Sequence, residues 1–206
     1  MEGKLGYGPW TMSLARRLSP ATMEDLERLP ATWRGEIIDG VMYAFPRPSG
    51  SHAQIESRMT GDLEPPFGRG RGGPGGWWIV AEPGIRIERS PEFSPDLAGW
   101  KRERLSAVPR TGPFTVVPDW ICEILSPGTR NYDLTVKRRF YAEVSVPFVW
   151  YVDVEARTLE VSRLSDGKWL ELATYGADEK VRAEPFGAIE IDLSSWWADL
   201  PEADTP

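Results

Sequence analysis

The sequence predicts a single α/β domain with a mixed central β-sheet flanked by helices and an N-terminal helix and hairpin added to it. Three observations predict this. Helix-like and strand-like segments alternate along the chain with no internal repeat and no linker. Residues 118–125 and 148–153 are almost continuously apolar, as strands covered on both faces are. The chain has 206 residues, 41% hydrophobic and 11% aromatic. A domain of that size buries roughly 70% of the surface its unfolded form exposes.

The elements follow in order. Residues 1–18 read as a flexible leader, 19–197 as the domain and 198–206 as a frayed acidic tail. A short helix opens near Ser19, which reads as its N-cap, with Pro20 in the first position and Glu24 and Asp25 in the first turn. Pro30 ends it. Residues 36–43 read as a hairpin turning at Asp39-Gly40, a dipeptide suited to two left-handed residues. From Ser51 to about Glu64, Ile55, Met59 and Leu63 recur every fourth residue and predict a helix with one apolar stripe.

Residues 68–76 are rich in glycine and read as a loop, either a plain connection or a flap that touches phosphate. They lack the Gly-Lys-Ser/Thr ending of a nucleotide phosphate loop. Strands follow: 77–82 and 85–88, expected to pair around Pro83-Gly84, then 95–100 and 118–125. Asp133 to Glu143 reads as a helix. Residues 148–153 form another buried strand, 159–164 an outer antiparallel strand, and 168–174 one more.

Composition removes several classes of chemistry. One cysteine, Cys122, rules out an internal disulfide framework and a cysteine zinc cluster, and reads as a small buried hydrophobe. One histidine, His52, rules out a multi-histidine metal site and leaves no ordinary nucleophile triad. Any bound metal must sit on carboxylates, which selects Mg²⁺ or Mn²⁺. Net charge is −7, so nucleic acid is not announced by a basic surface. Basic clusters nevertheless occur at Arg69 and Arg71, at Lys101, Arg102 and Arg104, and at Lys137 to Arg139. No apolar run is long enough to span a membrane and no signal-peptide core is present, so a cytoplasmic location is expected.

Glu123 is the informative exception. A carboxylate inside an apolar strand is costly unless it is paired or binds a cation. If its strand pairs with the one opening at Asp96, the two carboxylates meet, and a divalent cation removes their repulsion. The Ile124 backbone carbonyl is a third oxygen within reach. Lys137 lies four residues after Asp133 and reads either as half of a surface ion pair or as an ammonium beside the reacting phosphate.

The combination Pro95-Asp96, Pro118-Asp119-Trp120-Ile121-Cys122-Glu123-Ile124-Leu125-Ser126-Pro127-Gly128-Thr129-Arg130, Asp133, Lys137, Tyr141, Val146-Pro147 and Trp150-Tyr151-Val152-Asp153 resembles the Uma-two family of restriction endonucleases. So do the earlier segments 35–40 and Ser51-His52. The family is placed in the PD-(D/E)XK nuclease superfamily, and the resemblance runs from about residue 19 to 164.

The resemblance implies a restriction-endonuclease-like core, with Asp96 and Glu123 as metal ligands and Lys137 as the lysine. The superfamily usually carries that lysine two residues after the glutamate, where this chain has Leu125; in this family it moves to the following helix. Glu36 matches an early acidic position, and Glu82 lies on a strand near the expected site. Either assists a metal through water or plays a surface or structural role. His52 reads as a general base or a helix-start residue, and Tyr141 lines the site or packs. Ser126 and Thr129 shape the turn, and Asp119 marks the strand entrance.

The implied function is a Mg²⁺- or Mn²⁺-dependent endonuclease that hydrolyses phosphodiesters, with metal-activated water as nucleophile. Its expected partner is nucleic acid, with DNA the first choice, and a homodimer would bring two active sites to two strands. A catalytically silent nuclease fold acting as a binding or assembly module is the alternative. A flavin or nucleotide enzyme ranks last, for want of a glycine fingerprint after a strand.

Overall fold

The computed structural model describes residues 20–200. The leader expected at 1–18 and most of the expected tail lie outside them. Helix α1 (Met23–Glu27) starts at Thr22 rather than Ser19. Asp25 Oδ2 accepts from the Thr22 backbone N–H at 2.9 Å and from its hydroxyl at 3.1 Å, a reciprocal cap that fixes the start three residues late. Strands β1 (Trp33–Ile38) and β2 (Val41–Pro46) form the expected hairpin. Asp39 and Gly40 turn it with φ of 50° and 75°, the two left-handed residues that match strand twist.

Helix α2 (Gly50–Leu63) carries its buried stripe on His52, Ile55, Met59 and Leu63, and Ser49 caps it. A wide helical turn, Glu64–Gly68, follows. The glycine-rich loop is tied to that turn: Arg71 N–H donates to Pro65 O and Gly75 N–H to Pro66 O, each at 2.8 Å.

Strands β3 (Trp77–Ala81), β6 (Leu97–Lys101), β7 (Trp120–Leu125), β8 (Phe148–Asp153), β9 (Thr158–Ser165) and β10 (Lys168–Tyr175) form the six-stranded central sheet. Its order is β10-β9-β8-β7-β6-β3. Only β7 and β8 run parallel, so the sheet is mixed. A second sheet, β2-β1-β5-β4, joins the N-terminal hairpin to β4 (Ile85–Ile87) and β5 (Ser90–Phe93).

Two expectations fail here. The segments 77–82 and 85–88 do not pair. Glu82 adopts φ 42° and its N–H donates to Asp96 O at 2.8 Å, which keeps β3 on β6 and sends Pro83 onward into the second sheet. Strand β9 is not outermost, because Asp166 and Gly167, with φ of 50° and 73°, fold β10 back onto its free side.

Alternation along β7 divides its side chains between two cores. Trp120, Cys122 and Ile124 enter one, with α2 and the C-terminal segment. Ile121 and Leu125 enter the other, with Tyr132, Phe140 and Tyr141. Glu123 shares the second face. The helical run above that face is α3 (Arg130–Tyr132), a wide turn Asp133–Lys137, and α4 (Arg138–Glu143).

The C-terminal strands β11 (Lys180–Val181) and β12 (Ile191–Asp192) and helix α5 (Ser194–Trp197) were not read from the sequence. They bring Phe186 against the rings of Phe67, Trp77, Trp120 and Trp150 at centroid distances of 4.7–5.5 Å. Among the described residues, no helix is long and apolar enough to cross a membrane.

Candidate active site

Antiparallel register brings the two carboxylates together. Leu97 faces Cys122, so one step further along each strand sets Asp96 beside Glu123, with His52 of α2 reaching the Asp96 carboxylate. Asp96, Glu123 and Lys137 are all buried. They line one cavity of about 10 Å³ with Arg34, Glu36, Phe45, Thr129, Tyr132 and Asp133. That space holds about one water molecule or one small ion.

Each member is held by named donors. The Lys137 ammonium lies 2.8 Å from Glu123 Oε1 and 2.9 Å from Oε2. It also reaches Glu36 Oε1 at 3.4 Å and Asp133 Oδ1 at 3.8 Å. The Tyr141 hydroxyl donates to Glu123 Oε1. Glu36 accepts from the Tyr132 hydroxyl at 2.7 Å and from the Ser94 N–H at 3.0 Å. Asp96 Oδ2 accepts from the Ile124 N–H at 2.7 Å and lies 3.1 Å from His52 Nε2. Asp96 Oδ1 meets Arg34 Nη2 at 3.3 Å, while Arg34 Nη1 donates to Glu82 Oε1 at 2.7 Å.

Electrostatics follow from crowding four carboxylates against two cations in a buried space. Burial lifts the Glu123 carboxyl well above its ordinary value; the Lys137 charge opposes this, and Asp133, Asp96 and Glu36 add to it. Burial, helped by the charges of Asp96 and Glu36, raises Asp133 to about 6 against the Lys137 charge and a hydrogen bond with Thr129. Burial works against the Lys137 charge, but Glu123, Glu36, Asp133 and Asp96 outweigh it and hold the ammonium charged. Asp96 goes the other way. Its burial penalty is overcome by the His52 hydrogen bond and the charges of His52, Lys137 and Arg34, so it stays ionised.

The structure therefore brings together Asp96, Glu123, Lys137, Glu36 and Tyr141. His52 touches Asp96 from α2; the Glu82 N–H bonds the Asp96 backbone carbonyl, and the Glu82 carboxylate reaches the Asp96 side chain through Arg34. Asp119 lies elsewhere, accepting from the Lys101 N–H at 2.9 Å and Arg104 at 2.7 Å. No residue of the glycine-rich loop lines the cavity. Sequence reasoning missed Arg34 and Tyr132 and treated Asp133 only as a helix partner. A signal for Arg34 existed: it lies two residues before Glu36 on β1, so alternation sets both on one face.

Residues 23–194 match the Uma2 family, described as "Putative restriction endonuclease". The chain belongs to that family. Membership carries nuclease function at the level of reaction class, a hydrolase acting on nucleic acid. Among solved structures, this Uma2 member is similar to one titled as a putative nuclease belonging to DUF820 from Anabaena variabilis ATCC 29413. The TM-score is 0.67 at 19% identity, covering 87% of this chain and 98% of the other. At that identity the likeness shows the fold, a nuclease-like mixed sheet. No curated protein matches the chain.

The donor set suits a hard divalent cation. Carboxylates and a backbone carbonyl are the oxygen ligands Mg²⁺ and Mn²⁺ select, and the cavity holds more acid than base. Within a strand the N–H and C=O of one residue project to the same side, so the Ile124 carbonyl faces the side on which its N–H meets Asp96. In the arrangement described, Lys137, Tyr141 and Arg34 occupy the carboxylate oxygens. Among the described residues, no group of three or more His, Cys, Asp or Glu is arranged to hold a metal ion by itself.

Proposed function

We propose that this protein is a metal-dependent endonuclease acting on DNA, with Asp96, Glu123 and Lys137 as its active site in a single domain. The observation that carries the reading is the convergence of these three buried side chains on one ion-sized cavity in a chain of a nuclease family. Burying two acids and a lysine costs stability that packed apolar residues would not. A site of chemistry accounts for that cost.

Asp96, Glu123 and the Ile124 carbonyl would hold Mg²⁺ or Mn²⁺. Such an ion polarises a phosphodiester and acidifies water. The chain's own residues supply the rest. The Ile124 N–H and His52 Nε2 fix the Asp96 carboxylate by its Oδ2 edge. Lys137, kept charged by its acidic neighbours, would balance charge developing on phosphate. Tyr141 orients Glu123 through Oε1, and Glu36 is a second carboxylate on Lys137, at 3.4 Å. His52 is a positioning residue here, with Asp96 as its partner, and no base is asked of it. Glu82 acts through Arg34. Two copies of the chain, each with one site, would cut the two strands of a duplex.

Purified protein incubated with Mg²⁺ or Mn²⁺ and plasmid DNA, single-stranded DNA or RNA tests this directly. Nicking or linearisation of the plasmid is expected, with loss in Glu123→Ala and Lys137→Ala. All three substrates left intact by the wild-type chain would sink the enzyme reading.

One observation favours a second reading, a silent binding or assembly module. Both oxygens of Glu123 are already satisfied by Lys137 and Tyr141. The net charge of −7 leans the same way. Nucleic-acid binding without cleavage would be its signature.

A further inference from the structure

The two oxygens of Asp96 have different neighbours. Oδ2 is fixed by the Ile124 N–H at 2.7 Å and by His52 Nε2 at 3.1 Å. Oδ1 faces the guanidinium of Arg34, at 3.3 Å. Arg34 holds Glu82 more closely, at 2.7 Å from the other nitrogen of its fork. Its side chain is 25% exposed and that of Glu82 47%, whereas that of Asp96 is 4% exposed. Arg34 thus spans the mouth of the cavity, with a short bond to an open carboxylate and a longer one to the buried acid.

We propose that Arg34 is an exchangeable counter-ion: it neutralises Asp96 Oδ1 until a divalent cation takes that oxygen, and then presents its freed edge to a phosphate of the substrate. The inference rests on the metal-dependent reading above. Its physical basis is charge repulsion at one oxygen. Oδ2 is already engaged by two donors, so an ion bound to Asp96 would take Oδ1 beside the guanidinium, and two cations so close repel. Glu82 gives the departing guanidinium somewhere to stay. With Nη1 still on Glu82, the released edge lies at the cavity mouth, and a planar fork of donors suits a phosphodiester oxygen.

The test is Mn²⁺ binding to the full chain by calorimetry, in the wild type and in Arg34→Gln, with Arg34→Lys as a second variant that keeps charge but loses the fork. Removing the competitor is expected to tighten Mn²⁺ binding about ten-fold in Arg34→Gln, while Arg34→Lys stays near the wild type. In parallel, the Arg34 Nε–H signal in a heteronuclear NMR spectrum is expected to shift as Mg²⁺ is added. Affinity for a short oligonucleotide in Ca²⁺ is expected to fall in Arg34→Gln. Equal Mn²⁺ affinity in wild type and Arg34→Gln, with an unmoved Arg34 signal, would overturn the exchange while leaving the metal reading intact. Absence of Mn²⁺ binding in both proteins would overturn the metal reading and this inference together. If Arg34→Gln unfolds, the wild-type NMR titration decides alone.

Discussion

Lys137 straddles Glu123, its ammonium lying 2.8 and 2.9 Å from the two carboxylate oxygens in a buried setting. Neither side chain has water to fall back on. The pair is therefore one unit in both stability and charge, with the Tyr141 hydroxyl completing the carboxylate's contacts.

Lys137→Met should cost about 3–5 kcal/mol, the usual penalty for stranding one charge of a buried pair. The double variant Lys137→Met/Glu123→Gln should regain a large part of it, because the Glu123 charge is no longer stranded. Urea denaturation of the four proteins in the cycle measures both numbers. A double variant no more stable than Lys137→Met would mean that the pair is not coupled.

Metal should stabilise the native chain by mass action. At a hundred-fold excess of Mn²⁺ over its dissociation constant the gain is about 2.7 kcal/mol, visible as a rise in the thermal midpoint. Asp96→Asn should abolish that rise, and chelation with EDTA should reverse it in the wild type. A rise that survives in Asp96→Asn would move the ion elsewhere.

Glu56, one turn after His52 on α2, gives a pH dependence. Burial, then the charges of Glu82 and Asp96, raise its carboxyl from 4.5 to about 7 against the opposing effect of His52 and Arg34. The native state thus keeps a proton that the unfolded chain has released. The stability it contributes is fully present below pH 4.5 and is lost as pH rises toward 7. Glu56→Gln should flatten this part of the profile, read as the denaturant midpoint at a series of pH values. An unchanged slope in the variant would assign the effect to another group.

Phe186 should be the most costly single truncation in the C-terminal segment. Four aromatic rings surround it, so Phe186→Ala should lose about 3–5 kcal/mol. Deletion of the chain beyond β10 should expose the same ring faces and bind a hydrophobic dye. A stable, dye-silent truncation would show the segment to be dispensable.

Much of this was legible in the sequence because the signals are local. The apolar runs of β7 and β8 announced strands covered on both faces, and Asp39-Gly40 announced its hairpin. Glu123 announced itself as a carboxylate that burial would not tolerate alone, and the stripe of Ile55, Met59 and Leu63 marked α2. Family likeness joined Asp96 and Lys137 to it, and the structure places all three around one cavity.

Tertiary structure decided what depends on which backbone is free to pair and which oxygen meets which donor. Glu82 used its N–H on Asp96 O, so β3 went to β6 and the expected hairpin with β4 did not form. The turn at Asp166-Gly167 put β10 outside β9. Arg34 and Tyr132 entered the site from elements far apart in sequence, where hydrophobic periodicity carries no information about partners. The sequence alone determined which residues must be inside and that one acid among them needed a counter-charge. Only the fold determined that Lys137 takes both oxygens of Glu123 while Arg34 guards one oxygen of Asp96. Burial preference is a property of each residue; hydrogen-bond direction belongs to a pair.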